Sequence, residues 1–247
     1  MPPKPHVERP STGAPRGASA RSGTIAELAD VTKSYPAPGE DVRALNGVSL
    51  TIEAGEVMAL VGRSGSGKTT LLNLLGTLDR PTSGIVRIGD VETQALPEEA
   101  LLALRRETIG FVFQFFHLFP HLTALENAAL PLWLAGHGGP DATVRARELL
   151  AAVDLDEKAD RLAGRLSGGE MQRVAVARAL VMSPAIVLAD APTGNLDQAN
   201  AAAVLALLTS LARVEGAALV IATHSEAAAA VADRRVFLTD GRVTQVA

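Results

Sequence analysis

Short apolar runs alternate along this chain with longer segments of helical periodicity. Strand patterns occupy 25–31, 42–53, 56–61, 85–88, 109–113, 185–190 and 217–222, and two short strands follow within 236–246. Helical patterns occupy 97–106, 122–134, 142–153 and 171–182, and further helices begin at Thr70 and after Asp197. Strands that alternate with helices in this way predict an α/β fold.

Two segments differ from this alternation. Residues 115–165 show helical patterns joined by a glycine-rich break and no strand pattern, which predicts an inserted helical subdomain. Trp133 lies on an apolar face within it, and we expect that ring in the core. Residues 1–23 contain five prolines and few large apolar side chains, which predicts a disordered tail. The folded domain is therefore expected to span 24–247.

The stretch Gly62–Thr69 fits the phosphate-binding pattern G-x-x-x-x-G-K-[ST], between a strand and a helix. Its glycines allow several backbone N–H groups to point at one anion, beside the positive end of the helix dipole. Lys68 can reach the β- and γ-phosphates, and the Thr69 hydroxyl can ligate Mg²⁺. A chance glycine-rich turn would lack this strand–helix context. We predict a nucleotide site formed by Gly62, Arg63, Ser64, Gly65, Ser66, Gly67, Lys68, Thr69 and Thr70.

Other polar residues follow strands or precede helices. Asp190 ends a strand, as the Mg²⁺-holding aspartate of a phosphate-loop enzyme does. His224 also follows a strand, where open α/β sheets bind ligands. Ser167-Gly168-Gly169 before a helix is a candidate for a second phosphate cradle, because Ser167 fits an N-cap and the paired glycines expose backbone donors. The ring of Tyr35 could stack on adenine or merely pack at a strand end.

Composition narrows the classes of function. The chain has 247 residues and a net charge of −4, which does not favour a nucleic-acid surface. It has no cysteine, which excludes disulfides, cysteine-type zinc sites and thiol nucleophiles. No apolar run approaches the roughly 18 residues of a membrane span, and the beginning of the chain lacks a secretory signal. We expect a soluble, cytoplasmic protein that needs a partner for any membrane role.

Together, these motifs resemble the ATP-binding subunits of ABC transporters, from about Glu27 to the last residue. The resemblance implies a P-loop NTPase (RecA-like) core with an antiparallel β subdomain and an inserted α-helical subdomain. It also implies roles for individual positions. Residues 62–69 would form the Walker A loop, Tyr35 would be the A-loop aromatic residue, and Gln114 would be the Q-loop glutamine that binds Mg²⁺ and senses the permease. Residues 166–170 would form the signature, with Glu170 in place of Gln; Asp190 would be the Walker B aspartate, 194–197 the D-loop and His224 the switch histidine.

The segments 111–120 and 191–197 resemble the lipoprotein-release, macrolide-export and cell-division branch of that family. The resemblance implies a head-to-tail dimer of two copies, with ATP and Mg²⁺ bound between Walker A of one and the signature of the other. Ser167, Gly168, Gly169 and Asp197 would complete the partner's site. The dimer would drive integral-membrane permease subunits from the cytoplasmic face of the membrane. The alternative is an ATP-gated structural module of the cell-division type.

Ala191 departs from the family pattern, which has Glu directly after the Walker B aspartate. That Glu acts as general base, and an alanine cannot accept a proton. The loss of a positioned base costs roughly 10²–10⁴-fold in rate. We therefore expect binding of ATP with deficient hydrolysis. We favour a deliberate substitution that traps the ATP state over a naturally inactive subunit paired with an active one.

Two further classes are disfavoured by the sequence. Soluble ABC proteins of repair or translation typically carry two cassettes or a long coiled coil, whereas this chain shows one cassette and no heptad run. An unrelated phosphate-loop kinase or GTPase would not be expected to carry Ser167-Gly168-Gly169 before Asp190.

Overall fold

The computed structural model describes residues 23–247, which form two sheets and seven α-helices. The α/β prediction is confirmed. The predicted tail, residues 1–23, lies outside the described residues except for Gly23.

The strands divide between an antiparallel and a mainly parallel sheet. The four-stranded antiparallel sheet has the order β2-β1-β4-β5, and the six-stranded sheet has the order β10-β9-β3-β8-β7-β6. Only β10 runs antiparallel in the second sheet. The strands are β1 (Thr24–Tyr35), β2 (Val42–Glu53), β3 (Val57–Val61), β4 (Ser83–Ile88), β5 (Val91–Glu92), β6 (Ile109–Phe113), β7 (Ile186–Asp190), β8 (Ala218–Thr223), β9 (Arg234–Thr239) and β10 (Arg242–Val246).

Local capping sets where several helices begin. Thr123 and Ser167 each form a capping box with the Glu three residues later, and Pro140 lies in the first turn of its helix. The helices are α1 (Lys68–Leu75), α2 (Glu98–Thr108), α3 (Ala124–Leu134), α4 (Pro140–Ala152), α5 (Gly168–Leu180), α6 (Gln198–Val214) and α7 (Glu226–Ala230). The signature glycines therefore belong to the first turn of α5, whereas the sequence pattern placed them before the helix.

Strands β3, β7 and β8 of the six-stranded sheet are buried on both faces, as their nearly continuous apolar sequences predict. Alternate residues face two separate cores. One core contains the helical segment with α5 and α6, and the other contains α1 and the antiparallel sheet. The residues directed to the first are Val57, Val187, Ala189, Leu219 and Ile221, and those directed to the second are Met58, Leu60, Ile186, Leu188, Val220 and Ala222.

The helical segment between β6 and α5 contains α3 and α4, as predicted. Both helices pack against α5 through small and aliphatic side chains, including Ala128, Ala146 and Leu150. The expectation for Trp133 is wrong, because its side chain is 38% exposed. It lies near the end of α3, where the buried stripe is carried by Ala129 and Leu132 instead.

Candidate nucleotide-binding site

Four predicted site residues lie at one edge of the parallel sheet. Strands β3, β8, β7 and β6 are neighbours in that order. Gly62, His224, Ala191 and Gln114 follow directly after these strands. Because parallel strands end at the same edge, residues far apart in sequence converge there.

The phosphate-binding loop requires glycine at two positions, because a side chain there would clash with neighbouring backbone atoms. At Gly67, φ is 103°, and a Cβ would lie 2.5 Å from the Ala44 carbonyl oxygen. At Gly62, a Cβ would lie 2.5 Å from the Leu238 carbonyl oxygen. Gly67 also precedes α1, and no side chain of the described residues hydrogen-bonds at that cap. The first backbone N–H groups of α1 thus remain available to an anion.

Lys68 and Thr69 begin α1 and point their polar atoms at the loop and at β7. Lys68 Nζ donates to the carbonyl oxygens of Gly62 and Arg63, both at 2.8 Å. Burial lowers the pKa of Lys68, and the charge of Asp190 partly opposes that effect. The Thr69 hydroxyl donates to Asp190 Oδ2 at 2.8 Å. This hydroxyl–carboxylate pair supplies the hard oxygen ligands that Mg²⁺ prefers, so the residues present fit that ion.

Gln114 lies against the loop that follows β7. Its side-chain amide donates to Asn195 Oδ1 at 3.2 Å, and Asn195 Nδ2 donates back to the Gln114 carbonyl oxygen at 3.0 Å. Gly194 makes this approach possible, since a Cβ there would lie 2.7 Å from Gln114 Nε2. The Q-loop position and the D-loop position are therefore linked within one chain.

A second amide, which sequence reasoning missed, links the same region to α5. Gln172 is fully buried, and its Nε2 donates to the carbonyl oxygens of Pro192 at 2.6 Å and Phe113 at 3.3 Å. It thus joins the helix that begins at Ser167 to the ends of both β6 and β7. No signal in the sequence marks this glutamine, because its burial depends on how α5 packs across the sheet.

The signature segment lies beside the D-loop and the beginning of α6. Ser167 caps α5, and its hydroxyl accepts from the Glu170 backbone N–H. A Cβ at Gly169 would lie 2.8 Å from Asn200 Oδ1, so glycine permits close packing on α6. The Asp197 carboxylate caps α6 by accepting from Asn200, and these hydrogen bonds lower its pKa.

His224 and Ala191 lie at the ends of neighbouring strands. His224 is exposed and lines a cavity of about 680 Å³ with Gly62, Arg63 and Glu226, next to the phosphate-binding loop. Ala191 is half-buried and has a φ of 44°, in the left-handed region that residues other than glycine seldom adopt. Such strain is concentrated at functional sites.

Tyr35 ends β1 on the antiparallel sheet and is tied to the loop after α1. Its hydroxyl donates to Asp79 Oδ2 at 2.9 Å. The side chain of Thr70, on α1, hydrogen-bonds to the same phenol. The predicted base-contacting ring is therefore connected to the helix that follows the phosphate-binding loop.

The fold and the loop define a P-loop nucleotide-binding protein, and comparisons with known proteins identify its family. The ABC transporter family model matches residues 45–194. The lipoprotein-releasing system ATP-binding protein LolD of Geobacter metallireducens is 50% identical over 220 residues, which are 89% of this chain and 98% of that protein. The macrolide export ATP-binding/permease protein MacB of Shigella flexneri is 44% identical over 90% of this chain, which spans only 34% of that protein.

Solved structures agree. The ATP-binding cassette MJ0796, in a dimeric post-hydrolysis state bound to ADP and Pi, superimposes with a TM-score of 0.83 at 41% identity, covering 90% of this chain and 98% of that one. The chain therefore belongs to the ABC transporter family, and its similarity to LolD and MacB confirms the predicted branch. The P-loop NTPase core with its two subdomains is likewise confirmed. Within residues 23–247, the helices are too short or too polar to cross a bilayer.

Proposed function

We propose that this chain is the ATP-binding subunit of a transport complex and drives separate integral-membrane permease subunits from the cytoplasmic face of the membrane. The observation that carries the proposal is the convergence of Gly62, Gln114, Asp190 and His224 at one sheet edge. Relatives that are 50% and 44% identical to this chain are named for lipoprotein release and macrolide export. Lipoprotein release or export is accordingly the class of work we assign to the complex.

ATP is the substrate that these groups suit. The backbone of 62–69 and Lys68 would hold its phosphates, and Tyr35 would contact the base. Thr69, Asp190 and Gln114 would hold Mg²⁺, which neutralises phosphate charge when bound. His224 lies beside the loop, where it would contact the γ-phosphate and orient water.

A second copy of the chain would complete the site. Ser167 is exposed at the amino end of α5, beside Gly168, Gly169 and the exposed Asp197. These groups would face the nucleotide of the partner subunit in a head-to-tail dimer, an arrangement in which both sites are alike. ATP that binds the closed dimer better than the open one shifts the population towards closure. The dimeric MJ0796 structures support dimer formation by a cassette of this fold.

An apolar surface near Gln114 would receive the permease. The side chains of Phe115 and Phe119 are 67% and 56% exposed. Between them, Phe116 and His117 have positive φ values, and Arg178 donates to the carbonyl oxygens of both. The arginine thus fixes a strained loop whose flanking phenylalanines remain in solvent, and such exposed apolar surface is typical of interaction sites.

Ala191 would leave this site able to bind ATP and slow to hydrolyse it. Its methyl group cannot accept a proton, whereas the groups for the phosphates and Mg²⁺ are all present. The left-handed backbone at Ala191 is fixed on both sides: its N–H donates to the Ala222 carbonyl oxygen at 3.0 Å, and its carbonyl oxygen accepts from Gly194 N–H at 3.0 Å. A glutamate introduced at this position would therefore stand at the same bend.

The test is steady-state phosphate release with Mg·ATP, with and without permease, from this chain and from Ala191→Glu. We expect the variant to turn over about 10²–10⁴-fold faster. A matched control adds Lys68→Ala to the Ala191→Glu chain and should abolish that gain. If Ala191→Glu releases no phosphate even with the permease present, the chain is a naturally inactive or gating subunit. The proposal that Ala191 traps an otherwise active ATPase in its ATP-bound state is then wrong.

A further inference from the structure

Two side chains, Asp79 and Lys33, form a connected cluster with the proposed base-contacting ring of Tyr35. Tyr35 Oη donates to Asp79 Oδ2 at 2.9 Å, and Lys33 Nζ donates to Asp79 Oδ1 at 2.6 Å. Asp79 also accepts from its neighbour's backbone N–H at 2.7 Å. Both carboxylate oxygens are therefore used, and the carboxylate is fixed relative to the ring.

Lys33 has a second contact within the cluster. Its ammonium group lies 4.9 Å from the centroid of the Tyr35 ring and donates to the Arg80 carbonyl oxygen at 2.8 Å. The Lys33 side chain is only 13% exposed. A cation over an aromatic face is attracted by the electron density of the ring. One face of the Tyr35 ring is therefore occupied by Lys33.

Electrostatics keeps the cluster in one protonation state near neutral pH. Burial and the hydrogen bond to Asp79 raise the pKa of Tyr35, so the phenol remains a donor. Burial by itself would raise the pKa of Asp79. The hydrogen bonds from Lys33, the Arg80 backbone N–H and Tyr35 together outweigh that effect, so the pKa is lowered. The donor and acceptor roles thus persist over the physiological range.

We propose that Asp79 and Lys33 are positioning residues that fix the Tyr35 ring for stacking on adenine. The inference rests on the proposed function, because it assumes that ATP is the ligand. An unrestrained ring would lose rotamer freedom on binding, and a ring already held in place avoids that cost. Asp79 lies on the loop after α1, so the cluster also ties the base contact to the helix that follows the phosphate-binding loop.

The experiment measures dissociation constants of this chain for Mg·ATP and for inorganic tripolyphosphate, by calorimetry. The deficient hydrolysis proposed for Ala191 would keep ATP intact during titration. The variants are Asp79→Ala, Lys33→Gln and Tyr35→Phe, with Tyr35→Ala to remove the ring. Asp90→Ala is the matched control, since this carboxylate is exposed in the turn between β4 and β5.

We expect each of the three positioning variants, Asp79→Ala, Lys33→Gln and Tyr35→Phe, to weaken ATP binding by about 2- to 10-fold, which corresponds to the cost of ordering one side chain. Tripolyphosphate affinity should not change, because tripolyphosphate carries no base. Tyr35→Phe keeps the ring and loses only the hydroxyl contact, so it tests the cluster without risk to the fold. Combining Asp79→Ala with Tyr35→Phe should weaken ATP binding by less than the sum of the two single effects, since both variants remove the hydrogen bond between Tyr35 and Asp79.

Failure of this inference can be told from failure of the proposed function. If Tyr35→Ala weakens ATP binding while Asp79→Ala and Tyr35→Phe do not, the ring stacks without help and the positioning roles are wrong. If the positioning variants weaken ATP and tripolyphosphate equally, the cluster supports only the fold. If no Tyr35 variant affects ATP affinity, the base lies elsewhere and the assignment of Tyr35 itself is wrong.

Discussion

Glu170 joins two stabilising interactions at the beginning of α5, and its replacement offers a quantitative test. Its carboxylate accepts from the Ser167 backbone N–H at 2.8 Å and forms an ion pair with Lys158. The side chain is 13% exposed. The hydrogen bond from Lys158 is the largest cause that lowers the pKa of Glu170 from 4.5 to about 2. The two variants of interest are Glu170→Gln and Glu170→Ala.

The pKa shift sets an upper limit for the contribution of this charge. At about 1.4 kcal/mol per pKa unit, a fall from 4.5 to about 2 corresponds to roughly 3 kcal/mol. Lys158 is 41% exposed, so screening by solvent reduces the contribution to about 1–2 kcal/mol. Glu170→Gln keeps an oxygen that can accept from the Ser167 N–H but loses the charge, so its free energy of unfolding should fall by about 1–2 kcal/mol. Glu170→Ala also loses the cap and should cost about 1 kcal/mol more.

The assay is urea unfolding at pH 7, extended to a double-mutant cycle with Lys158→Gln. We expect a coupling energy of about 1 kcal/mol between Lys158 and Glu170. Because the folded pKa of Glu170 lies below its unfolded value, the stabilisation is fully present above about pH 4.5. It is lost as pH falls towards 2, so this chain and its Glu170→Gln variant should converge in stability there.

Arg147 and Asp160 provide the comparison, because their ion pair at 3.5 Å is exposed, with 43% and 86% of the side chains accessible. Asp160→Asn should change stability by less than about 0.5 kcal/mol. The reasoning is refuted if Glu170→Gln, the residue typical of the family, is as stable as this chain at pH 7, or if the difference persists unchanged at pH 2–3.

Two further predictions concern the phosphate-binding loop and the metal. Gly67→Ala should lower the free energy of unfolding by at least about 2 kcal/mol, because φ is 103° and the Cβ meets the Ala44 carbonyl oxygen at 2.5 Å. Gly65→Ala, with φ of 79° and no atom within 4 Å of the Cβ, should cost about half as much; equal costs in urea unfolding would contradict the steric argument. In calorimetry, this chain should bind ATP more tightly with Mg²⁺ than with EDTA. Asp190→Asn should remove most of that gain in affinity, because it removes a charged Mg²⁺ ligand. Thr69→Ser keeps the hydroxyl and should retain that gain, and an unchanged gain in Asp190→Asn would show that the metal lies elsewhere.

The local elements of this protein are determined by its sequence. Apolar runs of five or six residues predict β3, β7 and β8, and the glycines with Lys68 predict a loop between a strand and a helix. The capping residues Thr123 and Ser167 set where α3 and α5 begin. These features depend on backbone conformations and hydrogen bonds within a few residues, so neighbouring side chains are sufficient to specify them.

The contacts that join these elements are decided by the tertiary structure. Tyr35 meets Asp79, Gln114 meets Asn195, and Gln172 is buried beneath the ends of two strands, yet each contact joins residues at least 20 positions apart. Such contacts depend on which strands become neighbours and how α5 crosses them. A hydrophobic pattern specifies that a face is buried but not what covers it. For the same reason, Trp133 has an apolar helical setting in the sequence and still lies partly in solvent.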